Sequence, residues 1–369
     1  MKVMISGGGT GGHTSPAAAL VEELRRRDPR LLVQWVGKAG GIEERVAQRI
    51  EVPFRAIPVE GWPRNKSIRR AWVAVKMAAG LARATTHLRK FRPQVVIGVG
   101  GYVSVPLLWT AQRFDVPTVI HEQNKHLGMA NQLIAQKAAR IYLGYEDTQG
   151  DFDAAKARFV GNPVRAGFAD PPDKEAAKRT LEMDPGLPLV LIVGGSQGAQ
   201  SINRAVMKAL PLFRPDEAQF LWMTGQAGAN SARDAAAKVP IRTAVFSFIE
   251  DMVTACAAAD LVICRAGAST TAEIATMGKP SVLVPYPHAT DNHQEANARA
   301  FEQAGAAQVV LDGELDGPGT AERIRALLGA PDRLRQMGEA ARTLAPPGAA
   351  ETIVADILEL VFGPVQEKP

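Results

Sequence analysis

The sequence predicts an α/β protein made of two doubly wound parallel-sheet domains, and three observations point there. Short apolar, β-rich runs alternate with Ala-rich helical stretches along the chain, the signature of βαβ units and hence of parallel sheets. A device of strand, glycine turn and helix start occurs twice, about half a chain apart. At 369 residues the chain is also too long for one ordinary core.

In the first half the expected strands are Lys2–Ser6, Leu32–Val36, Val95–Val99, Thr118–Ile120 and Arg140–Leu143. In the second they are Leu189–Val193, Gln219–Met223, Thr243–Phe246, Leu261–Cys264 and Ser281–Val284. Lys2–Ser6 runs into Gly7-Gly8-Gly9-Thr10-Gly11-Gly12, and Leu189–Val193 into Gly194-Gly195-Ser196-Gln197-Gly198. Glycine lets the backbone approach a ligand closely, and the following helix N-terminus offers free N–H groups to an anion. Both domains are therefore expected to be Rossmann-like. The boundary is expected near Gly161-Asn162-Pro163-Val164-Arg165, with the prolines at 171, 172 and 185 marking loops shortly after it. The expected division is residues 1–162, residues 163–345, and a C-terminal helix and tail over 346–369. In that helix Ile353, Ile357 and Val361 share the face that packs on a domain surface.

Composition narrows the class. The chain is 46% apolar and 22% charged, as in ordinary globular enzymes. Its two cysteines, Cys256 and Cys264, make neither a disulfide framework nor a CxxC metal site. No signal-peptide pattern and no apolar run long enough to span a membrane is seen, so a cytosolic protein is expected. The net charge is +5. It is concentrated: from Gly61 to Phe114 there are ten Lys and Arg residues and no Asp or Glu. Such a surface attracts an anionic partner. No nucleic-acid module is recognisable.

Each motif admits competing chemistry. Gly7–Gly12 fits G-x-G-x-x-G, but strand two ends Trp35-Val36-Gly37-Lys38 without the acid that a nicotinamide ribose needs. Gly194–Gly198 fits G-x-S-x-G, so a hydrolase with Ser196 as nucleophile, Asp260 or Asp291, and His293 is a rival. Ser196 otherwise reads as a helix N-cap. Thr270 and Glu273 fit a capping box; equally, the Ala268-Ser269-Thr270-Thr271 turn suits a diphosphate and Glu273 a ribose diol. His13, beside a phosphate-type loop, is a candidate general base. Gly100-Gly101-Tyr102, His121-Glu122-Gln123-Asn124 and Asp291-Asn292-His293-Gln294 fall at the strand ends where ligands of open α/β sheets bind. No Asp-x-Asp pair stands where a metal-bridged nucleotide sugar would want one, so no essential metal or other cofactor is expected. Ile68, Trp72, Val75 and Ala79 recur at helical spacing among Arg69, Arg70 and Lys76. They form either a stripe packed on the protein's own sheet or a face for anionic lipid.

Together these segments resemble the MurG-type N-acetylglucosaminyltransferases of bacterial peptidoglycan synthesis. The resemblance is carried by Gly7–His13, Gly100-Gly101-Tyr102-Val103-Ser104, His121–Asn124, Gly161–Arg165, Gly194–Ala199, Phe248-Ile249 and Asp291–Gln294. It implies the GT-B fold, two Rossmann-like domains facing a cleft. It implies inverting transfer of GlcNAc from UDP-GlcNAc to the muramyl 4-hydroxyl of lipid I, giving lipid II. It also implies a peripheral protein on the cytoplasmic face of the plasma membrane, with cell-wall synthesis proteins as partners.

By the same resemblance the C-terminal domain holds the donor, with Ile249 at uracil, Glu273 at ribose, and Ser196, Gln197, Gly198 and Ala268–Thr271 at the diphosphate. Thr10, Gly11, Gly12, Asn124, Arg165 and Gln294 also belong to the donor set. Gly9, Thr10, His13, Gly101 and Tyr102 face the acceptor. His13 is the first candidate base and Glu122 the second, with closure about residues 161–165 excluding water. A UDP-GlcNAc 2-epimerase of the same fold remains an alternative.

Overall fold

The computed structural model describes residues 1–9, 11–61, 69–195, 198–289 and 292–364. Thr10, Ile68, Ser196, Gln197 and Asp291 fall outside them. The chain divides into two compact units, Met1–Ala166 with Pro347–Pro369, and Gly167–Pro346.

The first unit contains β1 (Lys2–Ser6), α1 (Gly11–Arg27), β2 (Leu32–Gly37), α2 (Ile42–Arg49), β3 (Phe54–Ala56) and α3 (Arg69–Phe91). It continues with β4 (Val95–Gly98), α4 (Val105–Arg113), β5 (Thr118–Glu122), α5 (Met129–Ala135), β6 (Arg140–Leu143) and β7 (Ala157–Phe159). A single turn, α6 (Ala166–Ala169), lies at the division. In the second unit come α7 (Lys174–Thr180), β8 (Leu189–Val193), α8 (Gln200–Ala209), β9 (Gln219–Met223), α9 (Ala229–Ala236), β10 (Thr243–Phe246) and α10 (Met252–Ala258). Then follow β11 (Leu261–Cys264), α11 (Ala268–Thr276), β12 (Ser281–Leu283), α12 (His293–Gln303), β13 (Ala307–Val309), α13 (Gly317–Leu328) and α14 (Pro331–Thr343). The chain then returns to the first unit as α15 (Ala349–Phe362).

Both sheets are parallel throughout, in the orders β3-β2-β1-β4-β5-β6-β7 and β10-β9-β8-β11-β12-β13. The order reverses between β1 and β4 in one and between β8 and β11 in the other. Crossovers on either side of such a point leave opposite faces of the sheet, which opens a crevice beyond the strands' carboxyl ends. The two glycine turns follow β1 and β8, so each lines a switch point.

Strands covered on both faces must be apolar at consecutive positions. In β1, Val3 and Ile5 join the layer of Leu20, Leu24 and Trp35, while Met4 joins that of Ala84, Leu107 and Leu108. Ile353, Val354 and Ile357 of α15 are fully buried in the first layer. Truncating a buried Ile to Ala typically costs about 2–5 kcal/mol, so this helix is a structural part of the first unit. Among the described residues no helix is long and apolar enough to cross a membrane.

Three strands carry no clear sequence signal: β3, β7 and β13, each three residues long and at or beside a sheet edge. On α3 the buried positions include Val73, Gly80, Ala84 and Leu88, whereas Trp72 and Val75 are 58% and 59% exposed. The packing half of the two readings of that stripe is thereby corrected. The helix rests on Val73, Gly80, Ala84 and Leu88 and turns Trp72 and Val75 outward.

Candidate functional site

At the switch point of the first unit, Gly7 and Gly8 leave β1 and α1 begins at Gly11. His13 lies in its first turn, half-buried. Its Nδ1 is 3.1 Å from Val99 O and 3.1 Å from Gln123 Oε1. Both partners are acceptors, so Nδ1 carries the proton and the lone pair is on Nε2. Close approach of the ring depends on the turn after β4. Gly100 and Gly101 have φ of +85° and +81°, and a Cβ on Gly101 would lie 2.3 Å from Gly8 O. The half-buried Tyr102 ring covers Gly9 on the other side.

Glu122 is also at this edge, but its carboxylate is committed. Oε1 accepts from Asn124 N at 3.0 Å and Asn124 Nδ2 at 3.1 Å; Oε2 accepts from Gly128 N at 2.8 Å and Asn131 Nδ2 at 2.9 Å. With 2% exposure and both oxygens taken by loop donors, it organises the 124–131 loop. His121 is buried and donates from Nε2 to Gly161 O at 3.0 Å. Burial holds its imidazole down at about 4, so it stays neutral.

Glu43 was not singled out by pattern. It is 1% exposed and accepts from Lys38 N at 3.0 Å and Gly9 N at 3.3 Å. The glycine loop thus has a carboxylate of the protein's own on the Gly9 amide. No signal beyond an acid in the first turn of α2 marks it. Arg165 lies in the first unit, half-buried.

The second unit repeats the arrangement without a histidine. Gly198 has φ of +80°, and a Cβ there would lie 2.2 Å from Thr224 O. α8 starts at Gln200 with Ala199 as N-cap; the expected cap at Ser196 lies outside the described residues. α11 starts at Ala268 with Gly267 as N-cap. The expected capping box at Thr270 and Glu273 is therefore displaced, because Gly267 starts the helix earlier.

Ala268, Ser269, Thr270 and Thr271 form the first turn of α11. The buried Thr271 hydroxyl turns inward to Ala268 O at 3.0 Å and Gly267 O at 3.2 Å. Glu273 is half-buried one turn on. Buried Ile249 points its amide at Met223 Sδ, 3.3 Å away, and Gln294 Oε1 accepts from Tyr286 N at 3.0 Å.

Arg265, between β11 and α11, was missed. It reaches Asp312 Oδ1 at 2.5 Å, Ser201 Oγ at 2.9 Å and the carbonyls of Val284 and Pro285 at 3.2 Å. It ties four segments together at the switch point. Burial alone would raise the Asp312 carboxyl, but its hydrogen bonds from Ser201 and Arg265 hold it below the usual range. Asp260 is removed from the hydrolase reading. It lies at the amino end of β11, where it accepts from Leu189 N at 2.9 Å and from Lys174 and Lys178 at 2.7 Å, the opposite end of the sheet from the glycine turn.

Among the membrane-surface candidates, Trp72 and Val75 are exposed and Arg70 and Lys76 half-buried. Lys76 is not a free charge. It pairs with Glu60 at 2.6 Å, an acid immediately before the acid-free stretch. Arg69 begins α3.

Comparison with known proteins agrees with this architecture. Residues 3–143 match the glycosyltransferase family 28 N-terminal domain, and residues 189–355 its C-terminal domain. The chain is 38% identical over 355 residues, 96% of its length and 98% of the relative's, to the UDP-N-acetylglucosamine–N-acetylmuramyl-(pentapeptide) pyrophosphoryl-undecaprenol N-acetylglucosamine transferase of Halalkalibacterium halodurans. It is 39% identical to the protein so named from an Exiguobacterium species, covering 98% of this chain and all of that one. The crystal structure of Acinetobacter baumannii MurG superposes with a TM-score of 0.76 at 29% identity, covering 97% of this chain and 99% of that one. A UDP-GlcNAc 2-epimerase from Neisseria meningitidis shares the fold, with a TM-score of 0.66 at 14% identity over 97% of this chain and all of that one. The chain belongs to glycosyltransferase family 28, among the MurG-type N-acetylglucosaminyltransferases.

Proposed function

We propose that the protein transfers GlcNAc from UDP-GlcNAc to the 4-hydroxyl of the MurNAc of lipid I, forming lipid II with inversion at the anomeric carbon. The observation that carries the chemistry is His13: a histidine at a switch point whose Nδ1 faces two acceptors and whose lone pair is therefore on Nε2. The acceptor hydroxyl gives its proton to Nε2 as its oxygen bonds to the anomeric carbon. The bond from that carbon to the UDP oxygen breaks, and UDP leaves with the electron pair. Glu122 holds the adjoining loop; His13 is the base.

The donor belongs to the second unit. The Gly198 turn and the first turn of α11 meet the diphosphate with main-chain N–H groups and helix dipoles. Ser196, Gln197 and Gln294 assist, Ile249 borders uracil and Glu273 takes the ribose diol. Thr10, Gly11, Gly12, Asn124 and Arg165 complete the donor set, and Gly9, Gly101 and Tyr102 border the acceptor. In this scheme amides carry the charge that a divalent ion would otherwise neutralise, so excess chelator leaves turnover unchanged. A lipid-linked acceptor also requires the protein to reach a membrane. The exposed Trp72 and Val75 within the basic stretch fit an anionic surface at the cytoplasmic face.

The test is UDP release from UDP-GlcNAc with and without lipid I. Release only with acceptor, and a fall of about 10²–10⁴-fold in kcat for His13→Ala, is the expected result. Epimer or free sugar formed at full rate without acceptor would overturn it.

A further inference from the structure

Behind His13 a hydrogen-bonded chain runs through β5 to the Gly161 carbonyl, and its direction is fixed. The Gln123 side chain is 1% exposed. Its Nε2 lies 2.9 Å from Val99 O and 3.2 Å from His121 O. Carbonyls only accept, so the amide nitrogen must face them, and the flipped assignment would set oxygen against oxygen. The same nitrogen is 3.0 Å from His121 Nδ1, which accepts because His121 Nε2 donates to Gly161 O. Oε1 is thereby left facing His13 Nδ1 at 3.1 Å.

We infer that Gln123 is a positioning residue for the transfer, its locked amide holding His13 in the tautomer that presents the Nε2 lone pair. The inference rests on His13 being the base. It gives a neutral amide the orienting role that a carboxylate commonly fills beside a catalytic histidine. The neighbouring carboxylate, Glu122, is turned away into the 124–131 loop. When Nε2 takes the acceptor's proton, Nδ1–H continues to donate to Gln123 Oε1 and Val99 O, and those two oxygens stabilise the imidazolium. Gly161, whose carbonyl ends the chain, lies in the segment leading toward the second unit.

The experiment is two-bond ¹⁵N–¹H correlation on full-length protein labelled at histidine nitrogens, with the His13 signals identified by their loss in His13→Asn. The wild type is expected to show an unprotonated Nε2 at His13. In Gln123→Met, which keeps the length but leaves Nδ1 with Val99 O and without the Gln123 acceptor, an Nε2–H population is expected to appear beside the wild-type form. The kcat falls on the order of 10–10²-fold, less than the full value of a general base, with KM for UDP-GlcNAc unchanged. A wild-type His13 protonated at Nε2, or a Gln123→Met protein with wild-type tautomer and kcat, overturns the inference. Full turnover in His13→Ala removes the base assignment beneath it, and the tautomer signal tells the two failures apart.

Discussion

The phenol of Tyr142 on β6 donates a 2.7 Å hydrogen bond to Asp356 Oδ2 on α15, 214 residues further along the chain. Arg140 Nε stands 3.3 Å from the same oxygen. Burial and the carboxylate push the phenol well above its ordinary range, so it remains a donor. The bond fastens the returning helix to the sheet of the first unit.

Tyr142→Phe is expected to destabilise the first unit by about 1.5–3 kcal/mol, the range for a hydrogen bond to a charged group, and toward its lower end because Arg140 remains. Asp356→Ala should cost more, since it leaves a buried phenol without an acceptor. Calorimetry should show a lowered transition in both. KM for UDP-GlcNAc should not change, because the proposed donor contacts of the second unit are untouched. An unaltered transition in Asp356→Ala would show that the helix is held by its apolar face alone.

The glycines of the second turn differ in what they protect. Gly195 and Gly198 have nearly equal φ, +81° and +80°, but a Cβ on Gly195 has open space and one on Gly198 meets Thr224 O at 2.2 Å. Gly195→Ala should cost only the left-handed conformation, about 1–2 kcal/mol. Gly198→Ala adds a backbone clash that must displace the start of α8. Donor KM should therefore rise markedly for Gly198→Ala and little for Gly195→Ala. Equal KM values in the two variants would disconnect this turn from the diphosphate.

What the sequence made legible follows from where the hydrophobic signal is strong. β1 and β8 are apolar runs followed by glycine, so both strands and their glycine turns could be read directly. β3, β7 and β13 are three-residue strands with partly exposed side chains, too short for any period to show. The buried side of α3 includes Gly80 and Ala84, which carry little apolar signal, so spacing alone could not tell whether the larger Trp72 and Val75 pack inward or face outward. Glu43 and Arg265 escaped notice because a buried charge is recognised by its partners, and those partners come from distant segments. Gln123 stood within a noted motif, but only the packed strand ends reveal which way its amide points.

His121 makes stability depend on pH in a defined window. Its folded-state value of about 4 lies below the ordinary 6.5, with burial as the leading cause. Between these values the unfolded chain binds the proton and the folded one does not, so stability rises with pH there. Its contribution is intact above pH 6.5 and is lost as pH falls toward 4. Urea midpoints measured from pH 4.5 to 7 should climb in the wild type. His121→Asn should start lower and climb less steeply. Parallel curves would mean that another group sets the acid limb.

On α3, Trp72 and Val75 are more than half exposed, three residues apart and so on one side of the helix. The Lys76 ammonium lies 5.6 Å from the Trp72 ring and is paired with Glu60. Its net charge is partly spent, so the apolar side chains should supply much of any membrane affinity at this spot. Burying a side chain of this size stabilises by about 1.5–3 kcal/mol. Trp72→Ser with Val75→Ser should therefore weaken binding to vesicles of mixed anionic and zwitterionic lipid by at least about 10-fold, since 1.4 kcal/mol is one decade. Lys76→Gln should have a smaller effect, and added salt should act through the other cations of the stretch. With a water-soluble acceptor analogue the double variant should turn over normally. Co-sedimentation at wild-type levels for the double variant would move the membrane face elsewhere on the first unit.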